Sequence, residues 1–281
     1  MTATNVISPY SVAEVAAFLE EDVGTGDVTA AIIPDALLAE ATVLTREDTV
    51  LCGQAWFDAV FKTLDPTISI EWLESEGSAV KAGTILCHLT GSARRLLTGE
   101  RTALNLLQTL SATATLARRY ADAVAGTNCK VLDTRKTIPG LRKAQKYAVA
   151  CGGCYNHRIG LYDAVLIKEN HIIAAGSIAN AVEIARKTST VLVEVEVESL
   201  EEYQAACNVR PDRIMLDNFN LEDMKSAVSQ RPAGIELEAS GNIDLTNILT
   251  IAETGVDFIS IGALTKNIRA VDLSMRINFI K

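Results

Sequence analysis

The chain has 281 residues, 48% of them hydrophobic, and a formal net charge of −9. That length holds one large domain or a small domain plus a barrel, with a sizeable core. The acidic balance argues against nucleic acid as a partner, and no apolar run reaches the ~20 residues needed to cross a membrane.

The N-terminus, MTATNVISPYSVAEVAAFLEED, lacks a basic start followed by an apolar stretch, so no signal peptide is expected. Helical periodicity over 11–22 follows Ser11, a good N-cap. A turn-rich stretch, GTGDVTAAIIP, comes next. Between residues 40 and 90 the runs AEATVLTRE, ISIEWLES and GTILCHLTG read as strands, and Gly53 to Leu64 as a helix. The segment EGSAVKAGTIL resembles the turn-rich β segments of biotin and lipoyl carriers, but it lacks their lysine on an exposed hairpin tip and reads as scaffold. A long helix is predicted from Thr98 to Val124, ending near Gly126. Arg101 lies at its start, where surface exposure is the ordinary explanation. His88, in a β-like run, is given no functional role.

The rhythm then changes. Six short apolar runs, CKVLDT, DAVLIKE, VLVEVEV, RIMLD, GIELEAS and DFISIG, alternate with helical stretches, roughly KAQKYAVA, GSIANAVEIARK, SLEEYQAAC, LEDMKSAVS and DLTNILTIAET. Such alternation predicts a parallel sheet with right-handed crossovers, as an incomplete α/β barrel or a flat doubly wound sheet. No G-x-G-x-x-G opens a helix after a strand, which counts against dinucleotide binding.

Functional groups of parallel α/β folds gather at the carboxyl ends of the strands. Here those ends deliver Asp133, Thr134, Arg135 and Lys136, then Lys168, Asn170 and His171, then Asp217 and Asn218, then Glu238, Ser240 and Gly241, and finally Gly262. One polar strand end is usually the start of a loop, and a helix N-cap explains Asp217 or Ser240 alone. Strand after strand ending in complementary charges is harder to explain so. Glu194, Glu196 and Glu198 alternate with valine and share one face, so some of them must meet cations or a metal. Glu196 and Asp217 on neighbouring strands offer hard oxygen donors suited to Mg²⁺, whereas zinc prefers His and Cys.

A cationic island stands out between Arg135 and His171: Arg135, Lys136, Arg142, Lys143, Lys146, Arg158 and Lys168 are opposed only by Asp163 and Glu169. It suggests a small anionic ligand. Arg142, Lys143 and Lys146, at helical spacing, read instead as a solvated helix face. The six cysteines sit mostly in apolar contexts and read as reduced thiols of a cytoplasmic protein. Cys151 and Cys154 form a lone CxxC in a glycine-rich loop, a weak metal signal.

Together the segments EDVGTGDVT, GERTALN, DTRKTIPGLR, GGCYNHRIGLYD, LIKENHI, VEVEVESLEE, IMLDNF, EASGNI and ISIGALTKN make the chain resemble the quinolinate phosphoribosyltransferase family over nearly its whole length. The resemblance implies a small open α/β sandwich (1–111, with 267–281 packing back on it) followed by an incomplete, six- or seven-stranded α/β barrel (112–266). It implies transfer of a phosphoribosyl group from phosphoribosyl pyrophosphate to quinolinate with loss of CO₂, yielding nicotinate mononucleotide for NAD synthesis. Carried over by motif, the dicarboxylate meets Arg135, His157, Arg158 and Lys168, with Arg101 coming from the other subunit of a dimer or higher oligomer. Lys136, Lys168 and His171 match contacts for phosphoribosyl pyrophosphate, and Thr134 is a further substrate-binding candidate. Glu196 and Asp217 match the acidic pair near the ribose and Mg²⁺. Lys168, Glu196 and Asp217 are the catalytic candidates. Ser240, Gly241, Gly262 and Ala263 match the loops for the 5′-phosphate, with Asn242 beside them as a further substrate-binding candidate. Asn242 stands where many relatives have a second glycine, and Lys266 where many have histidine. Two rivals remain open at this point: a paralogue tied to molybdenum metabolism, and a non-catalytic anion-binding or carrier module.

Overall fold

A computed structural model describes residues 12–280; the expected cap Ser11 lies outside the described residues. In chain order the elements are α1 (Val12–Val23), a single 3-10 turn (Ala30–Ile32), β1 (Leu38–Thr45), β2 (Thr49–Val50), α2 (Gln54–Leu64), β3 (Ser69–Trp72), β4 (Ala79–Val80), β5 (Ile85–Ser92) and α3 (Ala93–Ala123). There follow β6 (Lys130–Leu132), α4 (Arg142–Cys151), β7 (Ala164–Ile167), α5 (Glu169–Ala175), α6 (Ile178–Thr188), β8 (Leu192–Val197), α7 (Leu200–Val209), β9 (Arg213–Asp217), α8 (Leu221–Gln230), β10 (Glu236–Ser240), α9 (Ile248–Ala252), β11 (Phe258–Ser260), α10 (Ala263–Lys266) and β12 (Leu273–Ile280). No helix among the described residues is long and apolar enough to cross a membrane.

The chain divides into two units. The first takes residues up to Ala117, Lys143–Gly153 and everything from Asn267 onward. Its antiparallel sheet runs β12-β1-β5-β3. Alternation along β1 buries Ala39, Ala41 and Val43 on one face. Helix α2 adds Trp56, Phe57 and Phe61 to the core; the Phe57 ring lies edge-on to Phe61 at 5.0 Å and to Trp72 at 5.3 Å. The three predicted strands of residues 40–90 are β1, β3 and β5. The long helix begins at Ala93, five residues before the expected Thr98, because β5 runs straight into it and Ser92 Oγ accepts from Arg95 N–H at 3.5 Å.

Helix α4 overturns one expectation. Lys146 does not lie on a solvated face: it is fully buried, as are Ala144, Gln145, Ala148 and Val149. From Lys143 onward the helix belongs to the first unit, where the Tyr147 ring packs 5.3 Å from Trp56, so it is enclosed nearly all round. Arg142 is tied down as well, donating to Thr137 Oγ1 at 3.1 Å and Arg135 O at 3.4 Å; only Lys143 is exposed.

The second unit, Arg118–Arg142 and Cys154–Lys266, holds six parallel strands in the order β6-β11-β10-β9-β8-β7. These are the six predicted runs. The sheet stays open between β6 and β7, so the barrel is incomplete with six strands, and a lone parallel bridge from Leu132 to Tyr155 extends the β6 edge. The parallel register aligns Glu196 with Met215, Glu238 with Met215, and Ser240 with Asp217. Because side chains alternate, Leu166, Glu194, Glu196, Arg213, Met215, Asp217, Glu238 and Ser240 project to one face, while Val193, Val195, Val197, Ile214, Leu216, Leu237 and Ala239 fill the other. The polar face is the one that matters for function.

Candidate functional site

A pocket in the second unit is lined by Thr134, Arg135, Lys136, His157, Arg158, Leu166, Lys168, Glu196, Met215, Glu238, Ser240 and Ser260. Each of the six strands lends a residue from within it or just beyond its carboxyl end. The pocket thus gathers eight of the residues expected from sequence: Thr134, Arg135, Lys136, His157, Arg158, Lys168, Glu196 and Ser240.

Its cations are placed by the chain around them. Asp133, buried at the end of β6, accepts from Asn156 Nδ2 at 2.7 Å and from His157 N–H at 2.9 Å, which pins the His157–Arg158 segment beside β6. Asp163 accepts from Ile159 N–H at 2.7 Å and Gly160 N–H at 3.0 Å, closing the turn after Arg158. Arg158 Nη1 donates to Ala164 O at 3.2 Å. Burial and the neighbouring Arg135 both disfavour the charged form of Arg158. The Nε of Arg135 is buried without a hydrogen-bond acceptor. Two guanidinium groups held together in a partly buried pocket call for an anion.

Beneath them lies a carboxylate pair. Glu194 and Glu238 are fully buried. His157 Nε2 stands 3.0 Å from Glu194 Oε2 and 3.5 Å from Glu238 Oε2. The Arg158 N–H donates to His157 Nδ1 at 2.8 Å, which makes Nδ1 an acceptor and puts the ring proton on Nε2, facing the carboxyls. Arg213 closes the cluster from below: it donates to Glu238 at 3.1 Å and Glu236 at 2.9 Å, and its guanidinium lies 3.9 Å over the Phe258 ring. Burial pushes Glu194 up to about 7; burial and repulsion from Glu194 push Glu238 up to about 7. With ligand atoms within 4.8 Å of each other in a buried site, the two carboxyls disfavour each other's charge, which favours retention of a proton on the pair.

At the mouth, Lys168 pairs with Glu196. Lys168 also caps α5: its N–H donates to His171 Nδ1 at 3.0 Å. Helix α5 was not foreseen, and the ring of His171 serves it as a cap outside the pocket lining. His157 reaches the pocket, but both its ring nitrogens already face protein groups. Asp217 ends β9, accepts from Asn218 Nδ2 at 2.8 Å, and is not a lining residue. Gly241 and Asn242 line a second cavity with Asn218 and Asn247. Gly241 has φ +94°, and a Cβ there would lie 2.2 Å from Asn218 Oδ1, so glycine is required. Gly262 lies against Lys136 and Thr134, where a Cβ would come 3.1 Å from Lys136 Cδ. Next to it, Ala263 opens α10, whose Thr265 hydroxyl donates to Lys136 O at 2.8 Å. Arg101 is an exposed residue of α3 in the first unit, paired with Glu100 at 3.1 Å. Glu198 lies beyond the end of β8 and is exposed.

Fold and pocket together define an incomplete α/β barrel with a cation-rich pocket at its strand ends. Residues 27–111 match the N-terminal domain model of quinolinate phosphoribosyl transferase and residues 113–276 match its C-terminal domain model. A nicotinate-nucleotide pyrophosphorylase structure from Francisella tularensis is 48% identical, with a TM-score of 0.93, covering 97% of this chain and 99% of that one. Relatives named probable nicotinate-nucleotide pyrophosphorylase (carboxylating) are 43% identical in Synechocystis sp. and 40% in Bacillus subtilis, each covering 92% of this chain and 90% of the relative. The chain belongs to the quinolinate phosphoribosyltransferase family.

The upward shift of the buried pair has a consequence for stability. Unfolded, the two glutamates titrate near the ordinary 4.5; folded, near about 7. Across that window the folded state binds more protons, so stability falls as pH rises. Glu238→Gln keeps the shape and removes one titrating group. Its Tm should therefore drop less than that of the native chain between about pH 5 and about pH 7.5. An equal drop in both proteins would show that the pair does not hold a proton.

Proposed function

We infer that the chain is a decarboxylating quinolinate phosphoribosyltransferase, which converts quinolinate and phosphoribosyl pyrophosphate to nicotinate mononucleotide, pyrophosphate and CO₂ in NAD biosynthesis. The observation that carries this reading is the adjacency of Arg135 and Arg158 at the pocket. Quinolinate is a dianion, and planar guanidinium forks bind carboxylates in bidentate fashion. Arg135, Arg158 and Lys168 orient the dicarboxylate so that its ring nitrogen faces the anomeric carbon. Lys136, with Gly262 beside it, and Ser240 on β10 receive phosphate groups. Departure of pyrophosphate builds oxocarbenium character, which the Glu196 carboxylate stabilises electrostatically. The pyridinium so formed accepts the electron pair released as CO₂ leaves, so no organic cofactor is needed. Lys168, already poised on Glu196, lies where it can stabilise the carbanion-like ring carbon.

Mg²⁺ is the proposed metal. Glu196 and Asp217 give oxygen donors on the neighbouring strands β8 and β9, as a hard cation requires. Lys168 holds one carboxylate and Asn218 the other, which fits an ion arriving with the diphosphate better than a preformed cage. When bound, Mg²⁺ neutralises negative charge on the departing pyrophosphate. We also propose a cytoplasmic homodimer, six free cysteines fitting a reducing compartment, whose quinolinate site is completed by Arg101 of the partner subunit.

The purified chain should form nicotinate mononucleotide from quinolinate, phosphoribosyl pyrophosphate and Mg²⁺, and excess chelator should stop it; turnover undiminished by chelator would remove the metal. Arg135→Ala and Arg158→Ala should each weaken quinolinate binding by about 2–4 kcal/mol, roughly 30- to 1000-fold, while the variants stay folded. Unchanged affinity in both would take them out of the site. Mixing inactive Arg101→Ala with inactive Lys168→Ala should restore up to about half of the sites in mixed dimers, since one site then carries both lesions and the other neither. No recovery after verified subunit exchange would place Arg101 elsewhere.

A further inference from the structure

Three side chains that carry chemistry meet in the first unit: Cys52 between β2 and α2, Glu76 ahead of β4, and Cys151, the last residue of α4. One ligand-type atom from each lies within 4.8 Å of the other two. Glu76 has a structural job, since its Oε1 accepts from Gly53 N–H at 2.9 Å and its Oε2 from Gln54 N–H at 3.2 Å at the start of α2. What remains is a pair of sulfurs within 4.8 Å of each other.

The two sulfurs are unlike. Cys52 is fully buried, and its backbone is fixed: its N–H donates to Ser111 Oγ at 3.0 Å, and the Ser111 hydroxyl donates back to Cys52 O at 3.1 Å. Cys151 is partly exposed at a helix end. The neighbouring Cys52 thiol and then the Tyr147 hydroxyl hold the Cys151 pKa below the usual thiol range, whereas burial raises Cys52 well above it. Burial also pushes up Cys87, Cys129, Cys154 and Cys207. One cysteine of the six is therefore both reachable and disposed to ionise, and a second cysteine sulfur lies within 4.8 Å of it. An accessible thiolate beside a resolving thiol is the arrangement of a redox-sensitive pair.

We propose that Cys151 and Cys52 form a peroxide-sensitive thiol pair that closes to a disulfide, tying the end of α4 to the turn before α2. The Cys151 thiolate attacks hydrogen peroxide; the O–O bond breaks, hydroxide leaves, and a sulfenic acid remains on Cys151. The Cys52 sulfur then attacks the sulfenic sulfur. The S–S bond forms, the S–O bond breaks, and the proton of Cys52 leaves with the departing hydroxide as water. In sum two thiols lose two hydrogens and electrons, and one peroxide is reduced to two waters. Cys151 precedes His157 by a short loop, so the bond would anchor the chain just before the residues that face the buried carboxyls.

The test uses the full chain, reduced, desalted, exposed to a slight excess of hydrogen peroxide, alkylated and digested without reductant. The expected result is the loss of two free thiols per chain, an intact mass lower by two hydrogens, and a linked peptide pair containing Cys52 and Cys151 that dithiothreitol separates. In Cys52→Ser, dimedone should trap a sulfenic acid on Cys151. Three results would overturn the proposal: Cys151 alkylated as fully after peroxide as before, a link joining other cysteines, or zinc co-purifying at one ion per chain and shielding both thiols. Should Cys52→Ser fail to fold, peptide mapping of the native chain decides alone.

Discussion

Two glutamates forced into the same interior are the constraint from which the site follows. Parity along β8 and β10 turns Glu194 and Glu238 to the same face as the pocket, and both are fully buried there. An isolated buried carboxylate is costly, and two are worse. The structure answers with Arg213, which pairs with Glu238 from below, and with the His157 ring, whose Nε2 approaches Glu194 to 3.0 Å without forming a hydrogen bond there. Meeting that demand fixes the orientation of the His157 ring. The backbone N–H of Arg158 is committed to the same ring, so Arg158 is fixed as well. A buried acidic layer thereby sets the geometry of the cationic layer above it.

The cationic layer is held against its own repulsion. Burial and the neighbouring Arg135 disfavour the charge on Arg158, whose guanidinium donates to the backbone oxygen of Ala164, while Asp133 fixes the backbone of the preceding His157. Such a pocket is organised before the ligand arrives, so little rotamer freedom is lost on binding. At the mouth, Glu196 is kept in place by its direct ion pair with Lys168.

Much of this was legible in the sequence, for physical reasons. The six parallel strands are short apolar runs with polar ends, and period two made the shared face of Glu194 and Glu196 readable. DTRK and HR place charge at positions where a parallel sheet opens to solvent. What escaped depends on contacts distant in sequence. Arg213 begins β9 on the same parity as Asp217, a signal available in RIMLD, but only the fold brings it to Glu238. Lys146 looked like part of a charged surface because helical spacing cannot say what covers a helix. Helix α5 escaped because LIKENHI is read most easily as loop chemistry, whereas Lys168 and His171 also cap a helix. Strand β12 has weak alternation, SMRINFI, and forms because β1 offers it an edge across the whole chain. Asp133, the group that pins the His157–Arg158 segment, looked like an ordinary strand end.

The central claim is that Arg135 and Arg158 are prepared for one dicarboxylate, above His157 and the buried glutamates. A crystal structure of the chain with quinolinate bound tests it most directly. The account predicts both carboxylates within about 3.2 Å of guanidinium or ammonium nitrogens of Arg135, Arg158 and Lys168, with the His157 ring still directed at Glu194. Quinolinate seated away from both arginines, or a His157 ring turned from the glutamates to the ligand, would contradict it.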